Sequence, residues 1–306
     1  MASLVDQAKL DASQIGFQTR FNMALQAVDD PARQLAMEIP SSSAVENHNW
    51  LGAVPQLSEW LDQRKIDSLR AESYTLANKN WSSGIQVDMN DIADDRLGIV
   101  MPRIDQLGVK AALHYGDLLV QALIAGFTLG GTFGNAYDGL AFFSATHQDG
   151  DGPTQSNTSS NALTQANYFT AREAMWSLTD ERSDPLGIVP NTLVVGPSLE
   201  EIALQITQAE LIPNGAGTAS QTNVARGTAR VVISPRLVGA AASHWFLADL
   251  SQPVRPLMLQ IREPISSSFL GESSEQAFMN RTMVFGAQAR HAVGFGLWQH
   301  IYGSNA

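Results

Sequence analysis

The sequence predicts an α+β fold, and three observations carry the prediction. Short period-two runs are scattered between Tyr74 and Phe285, and a run opening at Pro102 repeats its apolar residues every three or four positions. Residues 148–161 are almost wholly Gly, Asp, Ser, Thr, Asn, Gln and Pro. Strands this far apart pair non-locally, so the domains are expected to interleave.

The first 40 residues mix apolar and polar positions and end at Pro40 and Ser41-Ser42-Ser43. Phe17, Phe21 and Leu25 fall at i, i+4 and i+8, on one face of an amphipathic helix or arm. That face must dock on something, either the chain's own core or a neighbour. Between Leu57 and Asn90, Tyr74 and Leu76 alternate with Thr75 and Ala77, and Ile85, Val87 and Met89 with Gln86, Asp88 and Asn90. These are two strands. The charged residues around them, Glu59, Asp62, Arg64, Lys65, Asp67, Arg70 and Glu72, leave few side chains to bury. A long solvent-projecting hairpin is therefore expected rather than a packed sheet, although residues 58–70 also fit a short helix.

Pro102 opens the longest helix, carried by Ile104, Leu107, Ala111, Tyr115, Leu118 and Ala122 and continuing to Phe127 before Gly130 and Gly131. At about 1.5 Å per residue it spans roughly 39 Å. Past the 148–161 loop a helix is expected over 164–178 and a strand over 192–195. Ser198 with Glu201 reads as a capping box that opens a helix through Ile206. Strands at 231–234 and 244–248 complete an α+β or α/β unit. Further strand-like runs lie at 257–262 and 281–285, ahead of a Gly-, Ala- and aromatic-rich stretch over 287–298.

Of the 306 residues 44% are hydrophobic, and 16% are charged where about 25% is usual for soluble domains. No apolar run approaches a membrane span, and Asp6 and Lys9 interrupt the start where a secretory signal needs an apolar stretch. The absence of Cys excludes disulfides, thiolate zinc sites, iron–sulfur clusters and cysteine nucleophiles. A net charge of −11 argues against tight nucleic-acid binding by the chain as a whole.

The residues that could carry chemistry do not assemble into it. The six histidines show no HxH, HExxH or HxxE spacing, so no metal or cofactor is expected. Asp149-Gly150-Asp151-Gly152 lacks the later ligands of a calcium loop. The glycines from Gly126 to Gly139 follow a helix instead of a strand, and there is no Gly-Lys pair for a P-loop. Ser198 lacks the flanking glycines of a nucleophile elbow. No catalytic residue is assigned. The cations, by contrast, are biased: 4 Lys against 15 Arg. Arginine is favoured in forked interface ion pairs and lysine is depleted there.

Several segments together resemble the gpT family, the major head subunits of Mu-like phages, whose shells use the HK97-type capsid fold. They are Asn49-Trp50-Leu51-Gly52 with Pro55, Glu59-Trp60 and Arg64; Tyr74-Thr75-Leu76-Ala77-Asn78-Lys79 with Trp81 and Ile85; and Asp91-Ile92 with Asp94-Asp95 and Leu97-Gly98. Tyr137-Asp138-Gly139 with Phe142-Phe143 and His147, then Thr192-Leu193-Val194-Val195, and Gly286 with Ala289-Arg290 and Gly294 to Trp298 continue the match.

The resemblance implies an N-terminal arm over 1–50 and an extended loop over 51–92 that reaches across a neighbour. It implies a peripheral domain from 93–150 and 253–285 with a spine helix at about 102–127, and an axial domain from 151–252 and 286–306. Phe17, Phe21, Leu25, Trp60, Arg64, Lys65, Arg70, Tyr74, Lys79 and Trp81 become the candidates for contact between subunits. Lys65 and Lys79 lie where some such shells crosslink, but are read as solvated. Family-like residues begin too early for a fused scaffolding segment, so scaffolding is expected from a separate protein.

The function implied is a major capsid protein of a tailed double-stranded DNA phage or prophage, present in the virion and assembled in the host bacterial cytoplasm. It would form hexamers and pentamers with itself, enclose DNA with weak non-specific contact, and work with portal, scaffolding and maturation-protease proteins and a decoration protein. No membrane is involved. Deleting residues 60–80 is expected to abolish shells but not folding. Two other readings remain: an encapsulin-like cargo compartment, and a soluble α/β enzyme with its site near the 137–161 loop.

Overall fold

Residues 7–48, 74–94, 97–148, 152–181, 183–213, 220–271 and 274–306 are described by the computed structural model. Helix α1 (Gln7–Ala27) leads to a 3-10 turn at Pro31–Leu35, where the Asp30 carboxylate accepts the Ala32 N–H at 3.0 Å. Strands β1 (Ala36–Pro40) and β2 (Val45–His48) flank a serine turn. From β2 the Glu46 carboxylate accepts the N–H groups of Ser43 and Ser42 in that turn, which hold its carboxyl down to about 2. Strands β3 (Tyr74–Ala77) and β4 (Lys79–Asp88) come next, then helices α2 (Met89–Ala93) and α3 (Leu97–Ala125).

The short strands β5 (His147–Gln148), β6 (Thr154–Gln155) and β7 (Thr158–Ser159) cross the polar tract. After them come helix α4 (Gln165–Trp176), strand β8 (Thr192–Val195) and helix α5 (Glu200–Thr207), with strands β9 (Leu211–Pro213), β10 (Ser220–Thr222), β11 (Arg230–Ile233) and β12 (Trp245–Ala248). Two long strands, β13 (Leu257–Leu270) and β14 (Thr282–Phe295), enclose helix α6 (Glu275–Asn280), and β15 (Ile301–Ser304) completes the order.

Two sheets organise these elements. The long sheet has the order β1-β13-β14-β4, and the five-stranded sheet has the order β11-β8-β12-β15-β7. Every residue of β8, β12 and β15 is buried, and β8 and β12 carry the near-continuous apolar runs of strands covered on both faces. Helix α3 joins the two regions. Its early residues Val100, Ile104 and Leu107 pack with Phe17, Phe21, Met283 and Phe285, and its later residues Leu118, Leu119 and Leu123 belong to the larger core around the five-stranded sheet.

Helix α1 lies along α3 in the same direction. Gly16 sits beside Met101, Arg20 pairs with Asp105 at 2.7 Å, and Gly108 lies under Ala24 and the Phe21 carbonyl. A side chain at Gly108 would strike that backbone, so the glycine sets the close approach.

Three expectations are corrected. The long helix starts at Leu97, with Pro102 inside it, and ends at Ala125. Val100 and Ile104, one turn apart on the buried face, carry the helix across the proline. Strands 74–77 and 79–88 do not form a hairpin with each other: β3 pairs with β2, and β4 pairs with β14 about two hundred residues away. β14 runs unbroken from Thr282 to Phe295, across the 285/286 position at which the resemblance divides the two domains. Finally, Ser198 is no cap, since its hydroxyl donates to the Ala242 carbonyl at 2.6 Å and α5 begins without a side-chain cap.

Candidate assembly surfaces

The region proposed for catalysis is a structural joint. His147 is fully buried and stacks on Trp298 with ring centroids 4.2 Å apart. Its two ring nitrogens face Asp138 Oδ2 at 2.5 Å and the Phe142 carbonyl at 3.2 Å, so neither is free for proton transfer. Asn157, also fully buried, donates to the carbonyls of Phe142, Trp298 and Ile301 and accepts the Ser144 N–H. These bonds tie the polar tract to β15. No group of three or more His, Cys, Asp or Glu among the described residues is placed to hold a metal.

A second histidine cluster joins α3 to the long sheet. His291 of β14 stacks on Trp81 at 5.5 Å and meets His114 and Tyr115 edge-on at 5.1 and 4.8 Å. Both nitrogens of His291 are buried without hydrogen-bond partners. Burial, reinforced by His114, pushes its pKa down to about 4, and burial lowers that of His114 too. The pair is neutral packing at pH 7.

Six of the ten predicted contact residues lie in the described part; Trp60, Arg64, Lys65 and Arg70 lie outside it. Phe17 and Phe21 turn out to serve the chain's own core, edge-on to Phe285 at 6.1 and 5.7 Å, and Leu25 packs beside them. Tyr74 is buried and its hydroxyl accepts the Phe295 N–H at 3.0 Å. The Trp81 indole donates to the His291 carbonyl at 3.2 Å. Lys79 is exposed at the start of β4. Phe17 and Phe21 are thus held on α1, Tyr74 on β3 beside β2, and Trp81 on β4 of the long sheet, each with a contact inside the subunit.

Large apolar side chains are also exposed at other places. Phe278, Met279 and Leu270 are exposed at the far end of the β13–β14 pair, with Phe278 86% exposed. Trp176, Val189, Val224 and Val238 are exposed around the five-stranded sheet. Trp176 stands over the buried guanidinium of Arg172, which donates to the Tyr168 hydroxyl and the carbonyls of Pro190 and Thr228. An aromatic held on a rigid base is a common centre of protein contact. Sequence reading missed Phe278, although a lone aromatic within Glu275-Gln276-Ala277-Phe278-Met279-Asn280 was its signal.

The family described as "Mu-like prophage major head subunit gpT" matches residues 10–165, 155–238 and 236–306. The Mu-like prophage FluMu major head subunit of Haemophilus influenzae is 24% identical over 289 residues, covering 93% of this chain and 69% of that protein. The major capsid protein of Escherichia phage Mu is 25% identical over 297 residues, covering 97% and 73%. Among solved structures, a chain of the procapsid of bacteriophage JBD30 superimposes with a TM-score of 0.58 and 27% identity over 98% of this chain and 76% of that one. The chain belongs to the Mu-like prophage major head subunit gpT family: it is a phage head protein of the HK97-like fold that forms capsid shells with copies of itself, and not an enzyme.

Proposed function

We propose that the chain forms hexamers and pentamers that close into an icosahedral shell around double-stranded DNA in the head of a tailed phage or prophage. Assembly takes place in the bacterial cytoplasm with scaffolding, portal and maturation-protease proteins, and a decoration protein binds the finished shell. In this reading the long sheet and α3 are the peripheral domain and the five-stranded sheet is the axial domain; the extended loop expected over 51–92 lies in large part outside the described residues. With an excess of 30 acidic over 19 basic residues the chain holds the genome only weakly.

The observation that carries the reading is the likeness to a procapsid subunit along 98% of the chain, taking in both sheets and the helix between them. Negative-stain microscopy of the protein expressed with its scaffolding partner tests it. Closed shells of uniform size, filled with DNA when isolated from induced cells, are expected. Particles that never hold nucleic acid favour a cargo compartment, and a monomer by light scattering at assembly concentrations overturns the shell.

A further inference from the structure

Along the inward face of the long sheet the side chains change size abruptly. β14 presents Met283, Phe285, Ala287, Ala289 and His291 in turn, and β4 sets Val87, Ile85, Ser83 and Trp81 beside them. Phe17 and Phe21 fill the space over Phe285, and Trp81, His114 and Tyr115 close around His291. Between these two places Ala287, Ala289 and Ser83 are too small to reach α3. A cavity of about 230 Å³ remains, walled by Leu107, Ala111 and His114, with Lys110 on its lining. Ser83 is exposed although it lines this cavity, so the cavity opens to solvent. A buried apolar cavity of about 150 Å³ holds a benzene ring, so this one accommodates a phenylalanine side chain.

The chain also carries a matching knob. Phe278 is the most exposed large hydrophobic among the described residues. The turn beneath it is fixed: Ala277 is buried, the Ser274 hydroxyl accepts the Ala277 N–H at 3.2 Å, and Arg281, at φ 53°, donates its N–H to the Ala277 carbonyl at 2.9 Å. An aromatic on so constrained a turn loses little entropy on docking. Glu275 lies three positions before Phe278 on α6, one turn away on the same side. Neither Glu275 nor Lys110 has an ion-pair partner among the described residues, so knob and cavity are complementary in charge as well as shape. The knob cannot fill its own cavity: the strand from Thr282 to Ala289 alone separates them by about 24 Å.

We propose that Phe278 of one copy seats in the Ser83–Ala287–Ala289 cavity of a second copy, with Glu275 against Lys110. Knob and cavity are different surfaces, so the contact runs head to tail, the kind that builds closed rings and shells. The proposal rests on the shell reading, which supplies the second copy.

The chain has no cysteine, so Glu275→Cys combined with Lys110→Cys, which leaves Phe278 in place, gives an unambiguous reporter. After oxidation or bridging with a short bismaleimide, assembled shells of the double variant are expected to give a ladder of multimers on denaturing gels. Either single variant should give no ladder. Lys110→Glu should cut shell yield at least tenfold, and adding Glu275→Lys should restore it. Shells that assemble normally yet stay a single band, with no charge-swap rescue, overturn the contact. Absence of shells from the unaltered chain instead sinks the shell reading itself.

Discussion

Gly116 of α3 and Asp30 of the 3-10 turn meet with no room for a methyl group: a Cβ on Gly116 would overlap the Asp30 carboxylate. Glycine inside a helix ordinarily costs about 1 kcal/mol relative to alanine. Gly116→Ala should here do the reverse, displacing Asp30 from its cap and its ion pair and costing about 2 kcal/mol net by overpacking. Urea unfolding of the isolated subunit reads the sign, and a stabilised variant would show that the turn yields freely.

Arg236 draws three segments together. Its guanidinium pairs with Asp30 at 3.1 Å, donates to the Leu113 carbonyl at 3.0 Å, and contacts Asp117. The Asp30 side chain is 6% exposed and that of Asp117 is 42%. Arg236→Ala should therefore cost about 3 kcal/mol by stranding a buried carboxylate, while Asp117→Asn should cost under about 1 kcal/mol. Equal losses from the two variants would contradict the assignment of the burden to Asp30.

The His291 pocket makes stability depend on acid. A histidine held down to about 4 in the fold and near 6.5 when unfolded binds its proton more readily in the unfolded chain between those limits. Stability should be full above about pH 6.5 and fall as pH drops toward 4, by at most about 3 kcal/mol. His291→Phe should flatten this slope in denaturation curves across that window. An unchanged slope would place the acid sensitivity elsewhere.

Deleting residues 60–80 would remove β3, Tyr74 and the start of β4, so loss of shells could not be separated from loss of fold. His48 and Tyr74 are paired at the open end of β2 and β3. Replacing 49–73 with an Asn-Gly turn should close that hairpin with stability within about 1 kcal/mol of the full chain. Circular dichroism should be native-like, and no shells should appear in the microscope.

Legibility in the sequence followed the reach of each signal. The buried strands 192–195 and 245–248 were readable because their apolar runs are local. The long helix was readable because Ile104 to Ala122 keep one spacing, while its first turn was hidden by Pro102. What stayed hidden was partnership: nothing near Ile85 or Val87 points to Phe285 and Met283, so an isolated hairpin was the simpler reading. The second half of β13 was masked by Pro264 and by Ser266-Ser267-Ser268, tolerated there alongside shifts in its pairing register. Phe17 and Phe21 were seen as one face, but whether it turned inward or outward depended on Phe285.

The placement of β15 between β12 and β7 bears on the order in which the molecule is made. Residues 301–304 fill the place between β12 and the edge strand β7, whose Thr158 leaves the ribosome about 145 residues earlier, or roughly ten seconds at common synthesis rates. Until then β12 offers an open edge and Asn157 lacks the Ile301 carbonyl it binds. Nascent chains are thus sticky for a defined interval, and only a chain translated through residue 304 can shed that stickiness and compete for a place in a growing shell.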